Sequence, residues 1–374
     1  MARRRIMTTA VLAGSLLLSV AACGGDDSTS GGGTAAGNTA SGASGSSGGG
    51  AAAAGKIGVI LPDTVSSPRW ESADRPQLEA AFKAAGVEYT IDNAQADAQR
   101  MQTIADQMMS SGVTVLAIVN LDSASGAAIE AKAKQQGIKT IDYDRLTLGG
   151  SADYYISYDN SKVGQLQGQG LADCLGDKPA NIAYLNGSPD DNNATLFSEG
   201  AHSVLDKVSS YTKVAEQAVP KWDATQAATI FDQLYTQAGG KIDGVYAAND
   251  TLANAAIGTL DRNNVTVPVT GQDASVQGLQ NILSGKQCMT VWKPADGEAK
   301  ALAETAIALS KGEEADTTGT VNDATGGRDV PAILLDPIAV DQDGLADAIS
   351  KGAQAASDVC TGEFAAMCTE KGIK

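Results

Sequence analysis

From Lys56 onward, short apolar runs alternate with longer amphipathic or alanine-rich segments. The runs fall at 57–61, 87–91, 113–119, 138–143, 154–158, 181–185, 214–219, 244–248, 267–270 and 288–292. Several are almost unbroken, as in Val113-Thr-Val-Leu-Ala-Ile-Val119. Continuous apolar strands of this kind are covered on both faces, which is the habit of parallel sheets. Between them, 76–85, 100–111, 124–136 and 226–238 read as helices. Glycines stand where those helices must stop, at Gly86, Gly112, Gly137 and Gly240, and glycine closes a helix by taking the left-handed conformation. The interval from strand to strand is about 25 to 30 residues, the length of a βαβ unit. Ten such strands exceed one comfortable sheet, so the pattern predicts an α/β fold of two doubly wound, Rossmann-like lobes.

The chain before Lys56 has a different character. Arg3, Arg4 and Arg5 precede an apolar run that reaches Ala22, and small residues lead to Cys23. A basic start, a short apolar stretch and a small-residue cut describe a signal peptide at 1–22. The run is shorter than the ~20 apolar residues of a spanning helix. Val20-Ala21-Ala22-Cys23 resembles the bacterial lipobox, so Cys23 is the expected lipid-bearing N-terminus of the mature protein. Residues 24–55 are almost wholly Gly, Ser, Ala and Thr, a composition that cannot bury a core and behaves as a tether. Loss of the three arginines takes the formal charge from −17 to −20. That acidity argues against nucleic acid or anionic lipid as partners, since both attract a basic face.

Four cysteines follow Cys23, at 174, 288, 360 and 368. Export permits disulfides; Cys360 and Cys368, close in sequence, are the expected pair, while a Cys174–Cys288 bond requires a contact the sequence does not reveal. A single histidine, His202, and the lack of a Cys-x-x-Cys motif argue against zinc. No metal and no cofactor is expected.

In open α/β sheets the ligand site lies beyond the C-terminal ends of the strands. Those ends carry Arg69-Trp70, Asp144-Arg145, Asp190-Asp191-Asn192-Asn193, Lys221-Trp222-Asp223, Asn249-Asp250, Gln272-Asp273 and Lys293. Carboxylates, amides and guanidinium groups saturate sugar hydroxyls, each of which both donates and accepts. The apolar C–H faces of a pyranose pack on flat rings, a task for Trp70 and Trp222, both expected to be exposed on loops. Asp, Asn and Gly at such positions also cap helices and form turns, so the collective pattern carries the weight.

Arg69-Trp70, Tyr143-Asp144-Arg145, Gly187-Ser188-Pro189-Asp190-Asp191-Asn192-Asn193, Gly271-Gln272-Asp273-Ala274 and Val330-Pro331 resemble, in collinear order, the xylose-binding and multiple-monosaccharide-binding proteins of bacterial ABC importers. The same holds for Tyr155-Ile-Ser-Tyr-Asp-Asn160. These proteins are type I periplasmic substrate-binding proteins of the ribose/galactose-like cluster. The resemblance implies two lobes, 56–157 with 295–330 and 158–294 with 331–374, joined by a three-strand hinge near Tyr158, Pro294 and Pro331. It also implies a monosaccharide, D-xylose or a related aldopyranose such as glucose, clamped between them. Arg69, Trp70, Asp144 and Arg145 would come from the first lobe, and Asp191, Asn193, Trp222, Asn249, Asp273 and Lys293 from the second. A membrane permease is the implied partner, and a monomer the implied state. The sequence departs from relatives at Lys293, where many have Tyr or Phe, and at Lys221-Trp222-Asp223, where some have Arg-Trp-Asp.

Presentation of bound sugar to a chemoreceptor is compatible with the same residues. A glycoside-processing enzyme would need an acid pair such as Asp190 and Asp191, or Asp144 and Asp273, yet Arg145 and Lys293 nearby would hold carboxylates ionised. Asp341-Gln-Asp-Gly344 hints at a calcium loop but lacks the alternating ligands and the distant Glu, and reads as a helix cap.

Overall fold

The computed structural model describes residues 54–373. The signal peptide, Cys23 and the tether up to residue 53 lie outside the described residues. Twelve strands are present in the described part: β1 Lys56–Leu61, β2 Tyr89–Asn93, β3 Val113–Ile118, β4 Lys139–Tyr143, β5 Tyr154–Tyr158, β6 Ala180–Asn186, β7 Tyr211–Ala218, β8 Gly244–Ala247, β9 Met289–Trp292, β10 Gly319–Asp323, β11 Arg328–Leu335 and β12 Ile338–Asp341.

The first lobe is a seven-stranded sheet in the order β10-β11-β5-β4-β3-β1-β2, parallel except for β10. Two apolar layers cover its faces. Leu78, Phe82, Leu302 and Ala306 pack on one side, and Met101, Ile104, Met108 and Ile129 on the other. Gly86 ends the helix Arg75–Ala85 with φ 67° and no atom near where a Cβ would sit, the expected left-handed stop.

The second lobe is built on the parallel set β7-β6-β8. The run at 267–270 forms only one ladder bridge, Val245 with Val269. Its backbone is nonetheless bonded on both sides. Thr270 N–H donates to Val245 O, Cys288 N–H to Val269 O and Val291 N–H to Gly271 O. The segment thereby joins β8 to β9, and β12 pairs antiparallel with β9 beyond it.

The hairpin of β10 and β11 was not expected, and it moves the third crossing. Ala332–Leu335 pair in register with Tyr155–Tyr158, so the chain leaves the first sheet after Leu335 rather than at Pro331. Residues 331–335 therefore belong with the first lobe. Cys360 and Cys368 are joined, with Cα atoms 5.8 Å apart, and Cys174 is joined to Cys288. The first bond staples the tail, which packs Val359 and Cys368 against Leu279 and Ile282 of the second lobe. Asp341 Oδ1 accepts from the backbone N–H of Asp343 and Gly344, so it closes a turn. It does not cap the helix Leu345–Ser350 as expected, because the N-cap there is Gly344 with no side-chain bond.

Candidate functional site

The strand ends of both lobes converge on one pocket in the cleft. All ten residues named as sugar contacts line it, as does Gln272, and the structure adds Ser66, Ser67 and Phe197.

Arg69 follows the loop after β1, and its neighbour Trp70 opens a wide helical turn, Trp70–Asp74. The guanidinium is held from several sides. Nε and Nη2 donate to Asp74 at 2.9 and 2.8 Å, Nη1 donates to Asp144 at 3.2 Å, and Nη2 also donates to Glu298. An arginine has five N–H donors; those four bonds leave one, on Nη1, for a ligand. Both guanidinium groups that line the pocket lie over the Trp70 ring, Arg69 at 4.6 Å and Arg145 at 5.8 Å.

Asp144 directly follows β4 with φ 61°, a left-handed conformation uncommon outside glycine. Asp273 (φ 96°) and the pair Lys221–Trp222 (φ 57° and 56°) are likewise left-handed. Such strain concentrates where a side chain must be aimed at a ligand. Burial pushes the Asp144 carboxyl up, but Lys293, Arg69 and Arg145 outweigh it and hold it below the usual carboxylate range. The group is an acceptor, unsuited to give up a proton. Asp191 is raised by burial, with Arg145 opposing. Its neighbour Asp190 is exposed, so the two do not form an acid pair.

From the second lobe, Lys293 Nζ stands 3.7 Å from Asp144 and 3.7 Å from Asp273, outside hydrogen-bond range of either. Its N–H groups are available to a hydroxyl placed between them. The Trp222 indole donates to Asp191 at 3.1 Å and lies against Gly187, where a Cβ would come within 2.0 Å of the ring. Trp70 and Trp222 are 3% and 5% exposed, not exposed as the loop reading expected, because each packs into the apolar core of its own lobe. Across the cleft, Arg145 pairs with Asp191 at 3.0 Å, Asn193 donates to the Asp144 carbonyl at 2.9 Å and Asn249 to the Ser66 carbonyl at 3.3 Å.

Ser66 and Ser67 escaped the sequence reading because nothing distinguishes them within a loop. Phe197 lies inside the helix Asn192–Leu205 and looks like core. Gln272 sits within the Gly-Gln-Asp run that pointed to Asp273, which was the available signal. Among the described residues no cluster of His, Cys, Asp and Glu could hold a metal.

Residues 57–314 match the model of the periplasmic binding protein domain. The chain belongs to the periplasmic binding protein family. It is 35% identical to the D-xylose-binding periplasmic protein of Escherichia coli K12 over 301 residues, 79% of this chain and 89% of that one. To the multiple sugar-binding periplasmic receptor ChvE of Rhizobium radiobacter it is 33% identical, over 77% of this chain and 87% of the receptor. A carbohydrate transporter solute-binding protein from Chloroflexus aurantiacus, solved with D-glucose, superposes with a TM-score of 0.75 at 28% identity, covering 81% and 97%. This is a family of extracytoplasmic binding proteins, not of catalysts. As a periplasmic binding protein, the chain has the type I two-lobed architecture, and its cleft is the ligand site to be assigned.

Proposed function

We propose that the protein captures one monosaccharide, D-xylose or a related aldopyranose such as glucose, by hinge closure and delivers it to the permease of an ABC importer. The observation that carries this reading is the cleft pocket, with Asp144, Asp273 and Lys293 converging between Trp70, Phe197 and Trp222. Carboxylates and an ammonium saturate hydroxyls, and the rings meet the C–H faces. The names borne by its relatives point the same way. Each of the ten strand-end residues is proposed as a sugar contact.

We further propose that Cys23 carries a lipid that holds the monomeric body outside the cell membrane. Anchored there, the body would stay near the permease. A thermal-shift screen of pentoses, hexoses and disaccharides tests the binding claim. Aldopyranoses should raise the melting temperature and disaccharides should not. If no sugar does so, the reading is wrong.

A further inference from the structure

One buried carboxyl of the second lobe stands next to the site without lining it. Asp250 opens the helix Asp250–Arg262, directly after Asn249, and is buried. A carboxylate taken out of water needs donors around it, and this one has three. Oδ2 accepts from the Ser275 backbone N–H at 2.7 Å, and Oδ1 accepts from the Gln287 amide at 2.8 Å and from the Thr290 hydroxyl at 2.9 Å. Two glycines make room for it, since a Cβ on Gly271 or on Gly278 would run into its oxygens.

Those donors surround the turn that carries a proposed sugar contact. Asp273 and Ala274 have φ 96° and 47°, conformations that a residue other than glycine keeps only where its surroundings over-determine them. Three consecutive N–H groups supply that constraint. Asp273 donates to the Val291 carbonyl at 2.8 Å, Ala274 to the Thr290 hydroxyl oxygen at 3.2 Å and Ser275 to Asp250. Two of the three therefore end on Asp250, one directly and one through Thr290. The Asp273 carboxylate has Lys293 only at 3.7 Å, so its direction is set by its own backbone.

We propose that Asp250 is a positioning residue for the sugar site. Its carboxylate fixes the left-handed turn at Asp273 and Ala274, and thereby the direction in which the Asp273 carboxylate enters the pocket. This rests on the sugar-binding reading. Burial pushes the Asp250 carboxyl up to about 7, against the donors Gln287, Ser275 and Thr290 and with Asp273 adding to the rise. At pH 8 it is ionised and accepts from all three.

A double-mutant cycle in sugar affinity, by calorimetric titration of the intact protein with D-xylose and with D-glucose at pH 8, tests this. Asp250→Asn should weaken binding about five- to thirtyfold in the wild-type background and by less than about twofold in Asp273→Ala, because a residue acting only through Asp273 then has nothing left to aim. Thr290→Val removes the relay without changing a charge, and should repeat the pattern with a loss of about three- to tenfold. Losses that persist in full in the Asp273→Ala background would make both residues supports of the fold alone. Unchanged affinity in the single variants would equally overturn the proposal. Where Asp250→Asn does not fold, Thr290→Val decides. If neither sugar binds the wild type, the function reading fails instead, and hydrogen exchange of the sugar-free protein decides whether Asp250 holds the turn. The Ala274 amide should lose protection in both variants ahead of the rest of the second lobe; a uniform loss, or none, refutes it.

Discussion

Asp273 and Arg69 both face the pocket, but their loss has different consequences because their surroundings differ. Asp273 reaches Lys293 only at 3.7 Å, so removing its carboxyl strands no close partner. Asp273→Ala should leave melting within a few degrees and raise Kd by about 10- to 150-fold, the value of a charge-assisted bond of ~1.5–3 kcal/mol. Arg69 instead bonds to Asp74, Asp144 and Glu298 at once. Arg69→Ala leaves buried carboxyls without their cation, which costs about 3–5 kcal/mol of folding stability as well as binding. Calorimetry paired with thermal melts separates the two. An unchanged sugar affinity in Asp273→Ala would remove that residue from the site.

At the scale of elements, the pocket depends on two helices of the second lobe that nearly touch. In Asn160–Leu175 a Cβ on Gly164 would meet the Phe197 carbonyl at 2.0 Å, and one on Gly200 of Asn192–Leu205 would meet the Ser161 carbonyl at 2.4 Å. Because the obstacle is backbone, neither helix can yield by turning a side chain. Gly164→Ala should therefore destabilise by about 1–3 kcal/mol, the usual range for overpacking, and weaken sugar binding by displacing Phe197. A melt and affinity equal to wild type would show that the helices slide apart freely. Which elements were legible from the pattern follows from the same physics. The buried parallel strands announce themselves as apolar runs such as 113–119. β10 reads Gly-Thr-Val-Asn-Asp and is exposed along most of its length, so no apolar signal marks it, and the third crossing was misplaced with it. Strand-end Asp, Asn and Arg are visible because polar residues there break an apolar rhythm. Glu298 is invisible because a glutamate in the first turn of a helix is the commonest of surface residues.

For the whole molecule, the cleft is a balance between attraction and charge. Arg145–Asp191, Asn193–Asp144 and Asn249–Ser66 hold the lobes together, while taking the Asp144 and Asp191 carboxylates out of water opposes closure. A sugar shifts that balance only by binding the closed arrangement better than the open one. Asn193 is the place to perturb it, since its amide nitrogen lies 3.2 Å from Asp144 Oδ1. Asn193→Asp replaces a donor by an anion facing an anion, an opposition of up to about 4 kcal/mol at the effective dielectric of such sites. The variant should bind sugar at least about 100-fold more weakly. Direct loss of a sugar contact would lower affinity too, so small-angle scattering supplies the discriminating measurement. If Asn193 governs closure, the sugar-free variant has a larger radius of gyration than the sugar-free wild type, and saturating xylose brings both to the same compact value. Equal radii without sugar would make Asn193 a ligand contact with no part in the hinge equilibrium.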